Sequence, residues 1–303
     1  MGNFQCFYLI MGYSLVSRGF VWKVGRTGRV HSVPLSSAPN WPIHNQPNPR
    51  ILVAVPIFNE GKTVNAVLGK ILSFARDVLV VDDGSSDDTP TRLKAFDGLH
   101  VVTHPVNRGY GAALISAFDF CVNPPPGVGP FDGLVTLDCD GQHEPERIDL
   151  VARHLLNADI VSASRYLTDF PENDSAPADR RRVNSAITEK LNRALGLHLT
   201  DAFCGFKAYR NTALSRLKIT EPGWGMPLQL WVQAARLALK IQEVAIPRIY
   251  LDPTRTFGTG LTDADTRMRY YNRVIEDALA AAPPYFSGTA RDPSPGLTSK
   301  SAG

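Results

Sequence analysis

The sequence predicts an α/β protein with a mostly parallel, twisted sheet and helices on both faces. Between residue 50 and about residue 247, short continuous apolar runs alternate with amphipathic stretches. Strands that are buried on both faces are apolar throughout, as in parallel sheets between two helical layers. Three of the runs end in acidic residues, and open α/β sheets bind ligands at the carboxyl ends of their strands.

We expect six strands, most of them apolar runs bounded by polar or turn-forming residues. They cover residues 51–55, 78–81, 100–102, 134–137, 160–162 and 241–246. Pro56 is expected to end the first strand, because proline has no backbone N–H to donate. Apolar side chains that recur every three or four residues predict helices at about 61–74, 109–121, 181–195, 227–239 and 262–282.

Composition divides the 303 residues into four segments. Residues 1–49, with Pro, Asn and Ser enriched after residue 32, are expected to be flexible or extended. Residues 50–250 form the main domain. Residues 251–282 are expected to form a loop at the active site and an amphipathic C-terminal helix. The tail, 283–303, is rich in Pro, Gly, Ser and Thr and is expected to be disordered.

Charge and cysteine usage restrict the function. A net charge of +3 is too small to predict a nucleic-acid partner. The four cysteines form no C-x-x-C pair, so we expect reduced thiols rather than a disulfide frame. No run of 18 apolar residues is present. We therefore predict a cytoplasmic protein that can adhere to the inner face of a membrane without spanning it.

Asp138, Cys139 and Asp140 follow the fourth apolar run and carry the strongest chemical signal. Two carboxylates two residues apart, just past a buried strand, can both reach one divalent cation. Mg²⁺ and Mn²⁺ prefer oxygen ligands and often bridge to substrate phosphates. The side-chain oxygen of Gln142 can serve as a further ligand of the cation. The alternative for an isolated triplet is a pair of turn residues, because aspartate favours the loops after strands.

The first and second strands also end in polar residues. Asn59 and Glu60 follow the first strand, and Asp82 ends the second. If these strands neighbour the fourth, their ends build one acidic crevice that can receive a base or a ribose. Gly109 and Gly111 open the helix after the third strand, where small residues and free N–H groups let an anion approach. Their spacing does not match a dinucleotide fingerprint.

Together these residues resemble the family 2 inverting glycosyltransferases, most closely the polyprenyl-phosphate (dolichol-phosphate) mannose or glucose synthase branch. The resemblance covers about residues 50–250, and its stretches are 55–60, 80–89, 107–113, 138–145, 164–166 and 201–207. It implies a GT-A fold, a nucleoside-diphosphate sugar donor and Mg²⁺ or Mn²⁺. The implied enzyme is a hexosyltransferase that acts on an acceptor such as a polyprenyl phosphate.

The resemblance also implies roles for single residues. The residues that would bind the nucleotide sugar are Pro56, Phe58, Asn59, Glu60, Asp82, Gly109, Asp138, Cys139, Arg165 and Arg255. The metal ligands would be Asp138, Asp140 and Gln142, and the catalytic residues Asp201, Arg165 and Asp140. Arg165 would neutralise phosphate charge, with a surface ion pair as the alternative. Asp201 would lie near the reacting sugar, with a helix cap or turn as the alternative.

The acceptor remains open. The branch usually carries Arg-x-x-Gly-x-Ser-Lys after its last core strand, and here only Arg255 and Gly258 match. A phosphate acceptor needs no strong base, whereas a soluble hydroxyl acceptor would need a carboxylate such as Asp201. A second class of enzyme, the nucleotidyltransferases, would be expected to have a basic, glycine-rich loop after the first strand, which this sequence lacks. A non-catalytic nucleotide-sugar binding protein would not require both Asp138 and Asp140.

Overall fold

The computed structural model describes the backbone of residues 14–17, 20–24 and 30–34, and residues 49–171, 176–251, 261 and 263–281 in full. Arg255, most of the loop that contains it and the tail 283–303 lie outside these residues. The chain divides into two compact units, residues 1–48 and 49–303, and each is described by itself.

The first unit contains a three-stranded antiparallel sheet. Its strands are β1 (Ser14–Ser17), β2 (Phe20–Val24) and β3 (Val30–Pro34), with β2 in the centre. The composition of residues 1–49 predicts a flexible or extended segment, and these strands were not foreseen. The sequences of β1 (SLVS) and β3 (VHSVP) mix polar with apolar residues, so neither is a continuous apolar run of the kind that predicts a buried strand.

The second unit is built on a seven-stranded mixed sheet, which confirms the predicted α/β class. The sheet order is β10-β8-β9-β7-β4-β5-β6. Neighbouring strands are parallel except where β9 pairs with β7 and β8. The strands are β4 (Ile51–Ile57), β5 (Asp77–Asp82), β6 (His100–Thr103), β7 (Gly133–Thr136), β8 (Ile160–Ser164), β9 (Lys207–Arg210) and β10 (Ile241–Ala245).

Helices cover both faces of this sheet. On one face lie α1 (Val64–Leu72), α2 (Thr89–Leu93) and α4 (Ile148–Arg153). On the other lie α3 (Tyr110–Val122), α5 (Ala178–Leu195), α6 (Asn211–Leu214), α7 (Met226–Arg236) and α8 (Ala264–Ala280). Short 3₁₀ turns occupy Pro145–Arg147 and His154–Leu156. Among the described helices, none combines the length and apolarity needed to cross a membrane.

Two apolar cores result, one on each side of the sheet. Leu52 and Ala54 of β4 belong to the core under α3, α5, α7 and α8, whereas Val53 and Val55 belong to the core under α1 and α4. A strand that is buried on both faces needs apolar residues at every position, which explains its unbroken apolar run. Since β4, β5 and β7 are neighbours, their carboxyl ends lie at one edge of the sheet and form the crevice described below.

Pro56 does not end the first strand, because β4 continues to Ile57. The β4 ladder with β7 stops at Ala54, and Ala54 O accepts from Leu137 N–H on that side. Pro56, two residues later, has its nitrogen on the same side of the strand. Its missing N–H therefore removes no ladder hydrogen bond, and the proline is tolerated in a central strand.

Candidate functional site

The loop after β5 is tied to the loop after β4. Asn59 adopts a positive φ of 56°, and its side-chain oxygen accepts hydrogen bonds from Ser86 N–H at 2.8 Å and Asp87 N–H at 3.3 Å. Its own N–H donates to Ser85 Oγ at 2.9 Å. Asp82 is 1% exposed and accepts from Ser85 N–H at 3.0 Å. Asn59 and Asp82 therefore fix the shape of the crevice wall.

The other residues expected at the nucleoside differ in accessibility. Phe58 is 43% exposed at the end of β4. Pro56 is buried within the strand. Glu60 is also buried, and its Oε2 accepts from Thr63 Oγ1 at 2.7 Å. Phe58 thus offers a ring to a ligand, whereas the side chains of Pro56 and Glu60 are largely shielded from one.

Asp83 organises the start of α3, a role that the sequence did not reveal. Its buried carboxylate accepts from Arg108 N–H at 2.9 Å and Gly109 N–H at 2.7 Å. His104 Nδ1 lies 2.6 Å from the same carboxylate. Gly109 has φ 106°, and a Cβ there would lie 2.5 Å from Pro222 O. Only glycine fits this position, so Gly109 places the first turn of α3 at the crevice.

Asp138 is held on three sides and remains open to a ligand. Tyr110 OH donates to Asp138 Oδ1 at 2.9 Å. The backbone N–H of Asp138 donates to His143 Nδ1 at 3.2 Å. A Cβ on Gly205 would lie 2.3 to 2.7 Å from the carboxylate atoms of Asp138, so the carboxylate rests directly on that glycine. The Asp138 side chain is 29% exposed.

Tyr110 remains a hydrogen-bond donor at physiological pH. Burial and the neighbouring charge of Asp138 raise the pKa of Tyr110 well above its usual value. The phenol therefore keeps its proton and orients one oxygen of the carboxylate. Neither Tyr110 nor Gly205 was selected from the sequence, although both belong to stretches that matched the family.

The residues that follow Asp138 fit a hard divalent cation. Asp140 and Gln142 are partly exposed, and Asp140 Oδ1 accepts from Gln142 N–H at 3.0 Å. Cys139 is 2% exposed with its side chain in the apolar core, so it offers a ligand only its backbone. In the described part of the chain, no group of three His, Cys, Asp or Glu residues is placed to hold a metal. A cation here would complete its shell with oxygens from Gln142, substrate phosphate or water.

Asp201 is fully buried and pairs with Arg165. Arg165 Nε and Nη2 donate to the two Asp201 oxygens at 2.7 and 3.0 Å. Asn184 Nδ2 and Phe203 N–H also donate to Asp201 Oδ1, at 2.9 and 3.1 Å. Burial alone would raise the pKa of Asp201, but Arg165 and these hydrogen bonds hold it at about 2. The carboxylate therefore fixes the Arg165 guanidinium, which is 17% exposed, and is not itself open to solvent as a general base would be.

Residues 201–207 link the two halves of the site. They begin at Asp201 and include Gly205, whose carbonyl accepts from Thr136 Oγ1 at 2.7 Å. Lys207 is buried, donates to the Cys204 carbonyl, and has Nζ 5.4 Å from the centroid of the Trp231 ring. Burial lowers the pKa of Lys207. One short segment thus supports both the Arg165 pair and Asp138.

The structure brings together the expected residues after β4, β5 and β7, and Arg165 follows β8. Arg255 lies outside the described residues. The chain that leads to it approaches the crevice at Leu251, since a Cβ on Gly141 would lie 3.0 Å from Leu251 Cδ1.

Comparisons with known proteins identify the family of this chain. The model of Glycosyl transferase family 2 matches residues 52–218, more than half of the chain. An undecaprenyl-phosphate mannosyltransferase of Micrococcus luteus is 31% identical over 206 residues, which are 65% of this chain and 82% of that protein. A polyprenol monophosphomannose synthase of Mycolicibacterium smegmatis is 29% identical over 213 residues, 66% of this chain and 78% of that protein.

A solved structure confirms the fold. The crystal structure of glucosyl-3-phosphoglycerate synthase from Mycobacterium tuberculosis, in complex with Mn²⁺, UDP and glucosyl-3-phosphoglycerate, has a TM-score of 0.57 to this chain. The match covers 77% of this chain and 79% of the other at 22% sequence identity. A likeness at this identity shows the shared fold alone, which is the α/β fold of the GT-A type.

Proposed function

Because this chain belongs to glycosyl transferase family 2, and is thus a glycosyltransferase, we propose that it transfers a sugar from a nucleoside-diphosphate sugar with inversion at the anomeric carbon. One observation carries this proposal. The partly exposed Asp138 and Asp140 at the end of β7 share an edge of the sheet with polar loops after β4 and β5. That edge can hold a diphosphate beside a nucleoside.

Asp138, Asp140 and Gln142 would hold Mg²⁺ or Mn²⁺ in this proposal. Their carboxylate and amide oxygens are the ligands that these cations prefer. The presence of Mn²⁺ in the solved synthase from M. tuberculosis supports the assignment. When bound, the cation would supply positive charge to the departing diphosphate.

Arg165 would supply further positive charge to the leaving group. Asp201 engages two of the five N–H donors of the guanidinium, and we propose that the others contact phosphate oxygens. A cation that is fixed in advance stabilises charge that develops during the reaction without having to reorganise. We therefore assign Arg165 the contact with phosphate and Asp201 the positioning of Arg165.

The nucleoside would lie along the ends of β4 and β5. Phe58 is exposed there and offers a ring to a base. The loops that hold Asn59 and Asp82 form the wall. The expected free N–H at Gly109 is taken by Asp83, so Gly109 would act on this subsite by setting the position of the first turn of α3. Glu60 completes this subsite. Pro56 and Cys139 contribute shape and backbone groups because their side chains are buried.

A polyprenyl phosphate is the acceptor that we propose. The relatives from M. luteus and M. smegmatis are named for polyprenyl-phosphate sugar transfer. A phosphate acceptor is already anionic, and Asp201 is buried against Arg165, which favours an acceptor that needs no base. Arg255 would contact a phosphate, since at most about 14 Å of chain separates it from Leu251.

The test uses the purified full chain with Mn²⁺, a panel of nucleoside-diphosphate sugars, and either a polyprenyl phosphate or a soluble hydroxylated acceptor. We expect a sugar-phosphate lipid whose anomeric configuration is opposite to that of the donor. Product with the soluble acceptor only would overturn the acceptor assignment, and retained configuration would overturn inversion. Turnover of a nucleoside triphosphate with release of pyrophosphate would indicate a nucleotidyltransferase. If none of the nucleoside-diphosphate sugars were turned over, the proposed donor class would be wrong.

A further inference from the structure

Tyr110 connects the Asp138 carboxylate to an aromatic stack. Its hydroxyl donates to Asp138 Oδ1 at 2.9 Å. Its ring stacks on Trp224, with centroids 4.7 Å apart and planes 11° from parallel. The backbone of this first residue of α3 is fixed in turn, because the preceding Gly109 N–H donates to Asp83 at 2.7 Å. The phenol therefore cannot turn away from Asp138 without breaking the stack.

The turn that carries Trp224 is held by the C-terminal helix. Tyr270 of α8 donates through its hydroxyl to Glu221 Oε1 at 2.5 Å and accepts from Gly225 N–H at 3.0 Å. Gly223 N–H donates to the same Glu221 oxygen at 2.9 Å. Residues 221–225 are thus fixed at both ends by one tyrosine. A continuous series of contacts joins α8 to the crevice, from Tyr270 through Trp224 and Tyr110 to Asp138.

We propose that Tyr110 is a positioning residue for Asp138 and that α8 acts on the divalent-cation site through it. The inference rests on the proposed function, because it takes Asp138 as a metal ligand. A carboxylate that binds a cation through one oxygen can keep a hydrogen bond on the other. Such supporting hydrogen bonds orient the ligand, and their loss typically lowers metal affinity by about 10- to 100-fold.

The first experiment measures binding of Mn²⁺ alone to the full chain, with free Mn²⁺ followed by electron paramagnetic resonance. Tyr110→Phe keeps the ring and its stack but removes the donor to Asp138. We expect its dissociation constant for Mn²⁺ to rise about tenfold, with little change in melting temperature. The matched control is Tyr271→Phe, which removes a hydroxyl from a buried tyrosine of α8 whose ring packs on Phe203. The control should bind Mn²⁺ as the wild type does.

A double-mutant cycle tests whether α8 acts through Tyr110. Tyr270→Phe should weaken Mn²⁺ binding less than Tyr110→Phe does. The double variant should bind no more weakly than Tyr110→Phe alone, because the final hydrogen bond is already missing. Purely additive losses would overturn the claim that the helix acts through Tyr110. Trp224→Leu provides an independent variant, since it leaves the hydroxyl in place but removes the stack that aims it.

Failure of this inference can be told apart from failure of the proposed function. Asp140→Ala is measured beside the other variants. If Asp140→Ala loses Mn²⁺ binding while Tyr110→Phe binds as the wild type does, the positioning role is overturned and the metal site stands. If Asp140→Ala also binds normally, or if the wild type binds no Mn²⁺, the assigned metal site is itself wrong.

Discussion

Single residues determine the position of the Asp138 carboxylate in the crevice. Substitution of Gly205 tests this directly, because the carboxylate packs against it. A methyl group at Gly205 would lie 2.3 to 2.7 Å from the carboxylate atoms, so Asp138 must move in Gly205→Ala. Because displacement of a reacting group by about 1 Å can cost about 100-fold in rate, we expect donor turnover to fall at least about tenfold. Steady-state kinetics with Mn²⁺ measures this.

Gly69→Ala is the matched control for this substitution. Gly69 is exposed on α1, and a Cβ there meets no atom within 4 Å. Alanine favours a helix over glycine by about 1 kcal/mol, so the control should be slightly more stable and fully active. If Gly205→Ala were as active as Gly69→Ala, the contact between Gly205 and Asp138 would have no bearing on the reaction.

The pH dependence of stability tests the ion pair between Arg165 and Asp201. The pKa of Asp201 is about 2 in the folded chain, below its ordinary value of about 3.9. Its ionised form therefore stabilises the fold above about pH 4, and this contribution, on the order of 2 kcal/mol, is lost as the pH falls from about 4 to about 2. Urea unfolding of the wild type and Asp201→Asn at several pH values measures the difference. The difference should be constant near neutral pH and shrink in acid, whereas a difference that is the same at every pH would contradict the assignment.

At the scale of secondary-structure elements, α7 supports the segment that joins Asp201 to Gly205. Trp231 of α7 is buried and donates through Nε1 to Ala202 O at 2.9 Å. Trp231→Phe keeps an aromatic ring but leaves this buried carbonyl without its donor, which should cost about 1 to 3 kcal/mol in the free energy of unfolding. Phe74→Leu, at a half-exposed position beyond α1, should change stability by less than about 0.5 kcal/mol. Equal stability of the two variants would show that this α7 contact is unimportant.

The sequence predicted the strands that can be recognised from their own residues, without knowledge of the neighbouring strands. All six expected strands are present, with ends within two residues of those observed. Four of them, β4, β5, β7 and β8, are buried almost throughout and so must be apolar, whereas β6 and β10 lie at the sheet edges and are only partly buried. β9 was missed, since Lys207, Ala208, Tyr209 and Arg210 form no apolar run and are placed by pairing with β7 and β8. The short helices α2, α4 and α6 were missed because so few residues show no helical period.

The site was predictable to the extent that it lies at strand ends. Asp138 and Asp140 are accessible, as a carboxylate pair after a buried strand suggests. What the sequence could not show is which partners the buried acids would contact. Asp83 binds the start of α3, and Asp201 is buried against Arg165. These two contacts join residues that are 26 and 36 positions apart in the sequence. A pattern of neighbouring residues therefore cannot predict them.

At the scale of the whole molecule, the basic surface bears on the proposed membrane acceptor. Arg267 is unavailable to a membrane, because it is buried and paired with Asp179. Arg181, Arg182, Arg269 and Arg273 are exposed. We predict adhesion to vesicles that contain anionic lipid, weaker adhesion to neutral vesicles, and release by high salt, because these charges act through screened attraction. Co-sedimentation measures this. A protein that resists high-salt and carbonate washes would contradict peripheral attachment.

Donor turnover tests the central claim, that the crevice after β4, β5 and β7 transfers a sugar with help from a divalent cation. The wild type and Asp140→Ala are compared on the same nucleoside-diphosphate sugar, after chelation and again after addition of Mn²⁺. We predict that the wild type loses activity on chelation and regains it with Mn²⁺. Asp140→Ala should stay at least about 100-fold slower than the wild type with Mn²⁺, whether or not Mn²⁺ is added, because it lacks a ligand that holds the cation beside the diphosphate. An Asp140→Ala protein that turns over donor at the wild-type rate would contradict the account.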